Sequence, residues 1–269
     1  MNAKREPPAR RVMIGLEPAM LDAAALAAAA RLAQSVGAEL AALFVEDINL
    51  LRWASLPFAQ EIGAASAARR SVATADIERA LRVQAEQLKR ALAEGVQRLE
   101  LQWTFEVARG QGLSALLACA GAGDIVVLAG SAGRSTQPAL EALLKSAFSF
   151  EPAAPGRVAA ALDSGPEAMR VLSAAYTLAQ ASDAELVLLI FREDARAGEI
   201  AERAEAWLTE RGAAARIALM PDPDPALIAG LIERERVHAL FWPGVDHALR
   251  GVEIAALASA IGCPLIVVK

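Results

Sequence analysis

The sequence predicts an α/β protein: two doubly wound parallel-sheet units in tandem, the first lacking a fifth strand of its own. Three observations predict it. The chain repeats itself, because a shift of 146 positions lays Arg11-Val12 on Arg157-Val158, Leu16-Glu17 on Leu162-Asp163, Leu32-Ala33-Gln34 on Leu178-Ala179-Gln180 and Ala38-Glu39-Leu40 on Ala184-Glu185-Leu186. A gap-free match through apolar and polar positions alike signals duplication of one folding unit. Each copy alternates short apolar runs with helical stretches, the pattern of a parallel sheet covered on both faces. The length of 269 residues suits two domains, each large enough to bury a core.

The elements follow in order. Each copy opens with a short apolar run bounded by turn residues, Val12 to Leu16 and Val158 to Leu162, as a strand buried on both faces requires. Alanine- and leucine-rich helices follow at residues 20–36 and 166–182, then second strands Leu40 to Val45 and Leu186 to Phe191. Amphipathic helices are expected over residues 75–98 and 194–211, and third strands at Gln102 to Val107 and Ala215 to Leu219. Third helices at 112–121 and 224–236 lead to fourth strands Ile125 to Ala129 and Ala239 to Trp242. The second copy then closes with a fifth strand in the run Ile261 to Lys269. The first copy instead passes from a helix at 138–147 through Pro152 and Pro155 into the strand that opens the second. The proline-bearing stretch 151–156 is therefore the boundary between a first domain, 1–150, and a second, 156–269. The first domain carries an insertion at about 46–73 with Leu50, Leu51, Trp53, Leu56, Pro57 and Phe58. Those residues either fold back onto the sheet edge or form a lid or docking surface.

Charge and composition narrow the function. A formal net charge of −5 argues against nucleic acid or an anionic membrane as partner. No apolar run reaches the roughly 20 residues that span a bilayer, and the charged start, Met1 to Arg11, is not a signal peptide. A cytoplasmic location is expected. Cys119 and Cys263 lack a partner at metal-ligand spacing and are expected to be buried, reduced thiols. Trp53, Trp103, Trp207 and Trp242 are too scattered for a base-stacking platform. The two histidines fit no catalytic or metal-ligand spacing. His238 is expected to end a charged helix, where it would satisfy orphan carbonyls. Asp222 to Pro225 reads as a turn and helix start.

Two places hold residues suited to a ligand. The loop after the fourth strand of copy one runs Gly130, Ser131, Ala132, Gly133, Arg134, Ser135, Thr136. Glycines three apart let successive amides aim at one point, the hydroxyls add donors and Arg134 adds charge, all of which suits a phosphate. An ordinary polar turn leading into a helix would look the same. The second place is the acid after each first strand, Glu17 and Asp163, which a doubly wound sheet puts at its switch point. The alternative for Asp163 is a helix cap, since Ser164, Gly165 and Pro166 follow it.

Here the residues resemble a family. A strand, an acid, Ser-Gly-Pro-Glu-Ala (164–168), an alanine-rich helix and Ala-Glu-Leu-Val-Leu-Leu (184–189) look like the opening of a universal stress protein domain. The Gly-Ser-Ala-Gly loop (130–133) and Cys-Pro-Leu-Ile-Val-Val (263–268) look like its closing half. The resemblance implies a tandem, Rossmann-like member of that family, with the two units packed as an internal pseudo-dimer, frequent dimerisation, and in some members ATP binding. The family's nucleotide signature is Gly, two residues, Gly, nine residues, then Gly followed by Ser or Thr, together with the acid after the first strand. Copy one matches Gly130 and Gly133 but then has Leu143-Leu144, with Lys145 and Ser146 two places late. Copy two keeps Asp163, but His247 replaces the second glycine, and Gly251 arrives after only three residues.

The reading is a non-catalytic stress-response regulatory or binding protein. Its degenerate site for ATP or another adenine nucleotide, with Mg if bound, is retained mainly in the first domain. The alternatives are a protein-protein interaction module that docks a partner through residues 46–98, and a weak ATPase.

Overall fold

In the computed structural model the 146-residue repeat becomes strand register. β1 (Arg11–Leu16) lies parallel to β2 (Glu39–Asp47), with Arg11 opposite Glu39 and Leu16 opposite Phe44. β7 (Arg157–Leu162) lies parallel to β8 (Glu185–Phe191), with Arg157 opposite Glu185 and Leu162 opposite Ile190. Each pair in the second half is the first-half pair moved by the sequence offset. The structure describes residues 11–16, 22–56, 60–62, 69–71, 74–130, 148, 156–192, 194–244 and 253–269.

The first half continues through α1 (Ala23–Val36), α2 (Ile48–Ala54), a hairpin of β3 (Gln60–Ile62) and β4 (Arg69–Ser71), α3 (Thr74–Gln97), β5 (Trp103–Gly110), α4 (Gly112–Cys119) and β6 (Ile125–Leu128). After β7, the second half runs α5 (Ala168–Ala181), β8, α6 (Ala197–Thr209), β9 (Arg216–Met220), α7 (Pro225–Glu235), β10 (Val237–Pro243), α8 (Ile254–Ala260) and β11 (Leu265–Val268). Local chemistry explains many of the boundaries. Asp22 caps α1 by accepting the Ala24 amide, and Gly37 ends it at φ 67°, in the left-handed region. Asp224 caps α7 through the Ala226 amide, with Pro225 in the first turn, as the sequence predicts.

All the long strands join one nine-stranded sheet, in the order β5-β2-β1-β6-β11-β10-β7-β8-β9. Within each half the strands are parallel; β11 meets β6 antiparallel, with Leu265 opposite Leu128 and Val268 opposite Ile125. The last strand thus stands where the first half would place a fifth. Reversal at this one seam points the carboxyl ends of the two halves to opposite edges of the sheet. Two core layers run unbroken through both halves. One buries α1, the end of α3, α5 and α6; the other buries α4, α7 and α8. α1 packs on α5 across the seam, and both helices bury alanines in the same core layer.

An ion pair also repeats. Arg11 reaches Asp124, just before β6, at 2.8 Å, and Arg157 reaches Glu235, just before β10, at 3.0 Å. Both acids are buried, so each half fastens the start of its first strand to the start of its fourth by a charge pair that water screens poorly. The Asp124 hydrogen bond, set against some loss of solvation, raises the Arg11 guanidinium further above its usual range.

The insertion folds as α2 and the small hairpin. Leu51 packs with Phe44, Leu81, Ala85 and Leu88, whereas Leu50, Trp53 and Leu56 are 37–41% exposed. Pro57 and Phe58 lie outside the described residues. Cys263 is buried, and burial pushes its thiol up to about 12; Cys119, expected to be buried, is exposed near the end of α4.

Candidate functional site

β7 and β10 are neighbours, but α5 leaves β7 toward one core layer and α8 follows β10 in the other. Their carboxyl ends therefore form the switch point of the second half, the usual place for a ligand in an open α/β sheet. Asp163, the first residue past β7, is 1% exposed. Its Oδ1 accepts the Gly165 amide at 3.0 Å, and its Oδ2 is buried without a hydrogen-bond partner. This is a turn closed on itself rather than a helix cap, because α5 begins only at Ala168.

Two acids missed in the sequence complete the site. Glu167 does not cap α5; its Oε2 instead accepts the Gly244 amide at 3.2 Å, across the crevice at the end of β10. Asp194, past the end of β8, accepts the Ser164 amide at 2.8 Å and the Arg196 amide at 3.0 Å. Burial raises the Asp194 carboxyl, but hydrogen bonds from Arg196 and Ser164 and the Arg196 charge outweigh it and hold it below the usual range. Four backbone amides of this edge, those of Ser164, Gly165, Arg196 and Gly244, are thus turned onto the chain's own carboxylates. A phosphate needs such amides as donors, and here it would also meet three acids. Gly244 is tight as well: a Cβ there would come within 3.0 Å of Val268 O. The signal for Asp194 was present in the sequence, as an acid just past a strand where an Asx turn forms. Glu167 carried no local signal, since its partner lies 77 positions away.

At the other edge, Gly130 follows β6 and is buried. A Cβ on it would strike the Cys263 backbone, meeting its carbonyl oxygen and lying 2.8 Å from C and 2.9 Å from N. The first glycine of the loop is therefore required for the passage beside β11, whatever the loop binds. Glu17, Ser131, Gly133, Arg134, Ser135, Lys145 and Ser146 lie outside the described residues, so of the sequence-predicted site residues only Gly130 and Asp163 are placed, at opposite edges of the sheet. His238 departs from expectation. Arg236 ends α7 in the left-handed region at φ 52°, and His238 is the second residue of β10. Both its ring nitrogens are buried without a hydrogen bond, and burial, then the charge of Arg31, lower its pKa. Among the described residues no cluster of three or more His, Cys, Asp or Glu side chains could hold a metal ion. No helix of the described residues is long and apolar enough to cross a membrane.

The architecture has solved counterparts. A universal stress protein from Archaeoglobus fulgidus superposes with a TM-score of 0.55 at 13% identity, covering 96% of both chains. The fold is that of the universal stress proteins. A putative universal stress protein from Pseudomonas aeruginosa gives a TM-score of 0.50 at 15% identity, over 97% of this chain and 93% of that one. A functionally unknown protein from the same organism gives 0.50 at 15%, over 97% and 92%. Neither a family model nor a curated protein matches the sequence.

Proposed function

We propose that the chain is a tandem universal-stress-type protein, with domains 1–150 and 156–269, acting in the cytoplasm as a non-catalytic stress-response regulator. In this reading the first unit keeps the adenine-nucleotide site, built on the loop 130–136 with Glu17, Lys145 and Ser146 and taking ATP with Mg. The second unit has given its site up. The observation that carries the reading is the Glu167 carboxylate on the Gly244 amide. A fixed internal anion stands where a phosphate would need a donor, and the neighbouring amides are likewise engaged. One nucleotide per chain is therefore the expected stoichiometry. Calorimetric titration of purified protein with ATP and Mg tests it, after a check for nucleotide carried through purification. Binding at one site per chain, lost in Gly133→Val, is the expected result. Two sites, or no binding and no carried nucleotide, would overturn it.

One observation favours a second reading. Leu50, Trp53 and Leu56 stand partly exposed on and beside α2, which suits a module that docks a protein partner through residues 46–98. In that case Trp53→Ala weakens partner capture while Gly133→Val is silent; the nucleotide reading requires the reverse.

A further inference from the structure

Two clefts among the described residues lie away from the Asp163 crevice. An open cleft of ≈ 610 Å³ sits at the amino ends of the first half's strands, where β2 and β5 begin. A second, of ≈ 590 Å³, adjoins it and shares Glu100, Leu101, Gln102 and Trp103, so the two are lobes of one trough. The volume of either lobe is in the range of small-molecule sites.

The lining is one-sided chemically. Glu39 and Glu100 bring two carboxylates; Gln34, Gln97 and Gln102 bring amide oxygens, and Trp103 an indole. Among the described residues that line either lobe there is no Lys, Arg or His. α1 ends at Val36 and α3 at Gln97, so two helices direct their carbonyl ends, and the negative end of their dipoles, at the trough. Glu39 also lies in the field of Arg11, which leaves Glu100 the larger share of the negative potential. An anion is repelled by both lining carboxylates, and a neutral apolar ligand would strand them. An ammonium group meets carboxylates, amide oxygens and an indole side chain, the surroundings that favour an organic cation.

We propose that this trough binds a linear aliphatic di- or polyamine. Two joined lobes that share Glu100 and Trp103 fit an extended chain carrying charge at intervals, with its methylenes along Trp103 and Leu101. The site is separate from the nucleotide reading, because it sits at the opposite end of β2 from the carboxyl edge where that ligand would bind.

The test is calorimetric titration of the full chain with spermidine at low ionic strength, beside choline and Mg²⁺ at matched charge. Saturable spermidine binding, stronger than that of choline or Mg²⁺, is expected. Gln102→Lys places a cation in both lobes and should weaken it more than tenfold. Glu100→Gln removes one charge-assisted contact at an exposed position and should weaken it roughly tenfold. Gly133→Val should leave it unchanged, which separates this site from the nucleotide loop. The proposal fails if spermidine does not saturate, if Mg²⁺ binds equally well, or if Gln102→Lys binds as the parent does while its thermal unfolding is unaltered.

Discussion

Replacing Gly95 by alanine in the interior of α3 should destabilise the protein, although helix propensity alone says the opposite. In an unhindered helix the change gains about 0.8–1.0 kcal/mol. At Gly95, however, a Cβ would meet three carbons of the Phe148 ring, Cδ2, Cε2 and, at 2.8 Å, Cγ. Carbon contacts are comfortable at about 3.5–4.0 Å, so the ring must retreat. Phe148 is 4% exposed within the core layer that also holds Leu92 and Val96, and overpacking such a site costs about 1–3 kcal/mol. Expelling the ring instead loses about 1.5–3 kcal/mol of burial. The net expectation for Gly95→Ala is a loss of up to about 2 kcal/mol. In a Phe148→Ala background, already weakened by about 3–5 kcal/mol, the clash is gone and Gly95→Ala should stabilise by about 1 kcal/mol. The sign reverses, with a coupling of about 1–3 kcal/mol between the positions. Urea unfolding of the four proteins of this cycle, read as midpoints at constant slope, measures it. A higher midpoint for Gly95→Ala with Phe148 intact would refute the reasoning.

Glu235→Gln leaves Arg157 and Arg216, now at 3.0 and 2.8 Å from its Oε2, without their shared anion. Because both arginines are about a third or more exposed, the loss should be about 1–3 kcal/mol, read as a lower urea midpoint, rather than the larger penalty of a fully buried pair. His238 is held neutral by burial and Arg31, its folded pKa lying below the ordinary 6.5. Stability is therefore full above 6.5 and falls as pH drops from there toward the folded pKa. His238→Phe should raise the melting temperature more at pH 5 than at pH 8, and an equal rise at both would contradict this. Asp194, with its pKa held below the ordinary 3.8, contributes stability that is complete above the unfolded pKa and disappears as pH falls through the folded one. Asp194→Asn should flatten the acid limb of a melting-temperature profile below about pH 4.

The fold was legible because duplication and local pattern agree. The runs at Val12, Leu40, Val158 and Leu186 are continuous apolar stretches with one reading, and each falls inside its strand. The seam was only half legible. The sequence indicates that the first copy lacks a fifth strand, but not that β11 fills the place in the reversed direction, since pairing over 137 positions, from Leu128 to Leu265, leaves no local trace. His238 misled because Glu233 to Arg236 read as unbroken helix, whereas Arg236 turns into the left-handed region and releases the chain into β10. At the candidate site the acid past β7 was legible from its position, Asp194 partly so, and Glu167 not at all, because its meaning depends on an amide across the crevice.

The seam also sets an order of events on the ribosome. Domains generally fold as they emerge, amino-terminal part first, yet β6 is flanked on one side by the strand at residues 265–268. Until that strand is made, the four-stranded first half holds an unpaired edge of Ile125, Val126, Val127 and Leu128, all buried in the finished molecule. An open apolar edge of this kind is the template that aggregation uses. The nascent first half thus keeps that edge without its β11 partner through the whole of the second half's synthesis. A truncation that spares every residue of the first half but removes β11 leaves that edge bare for good.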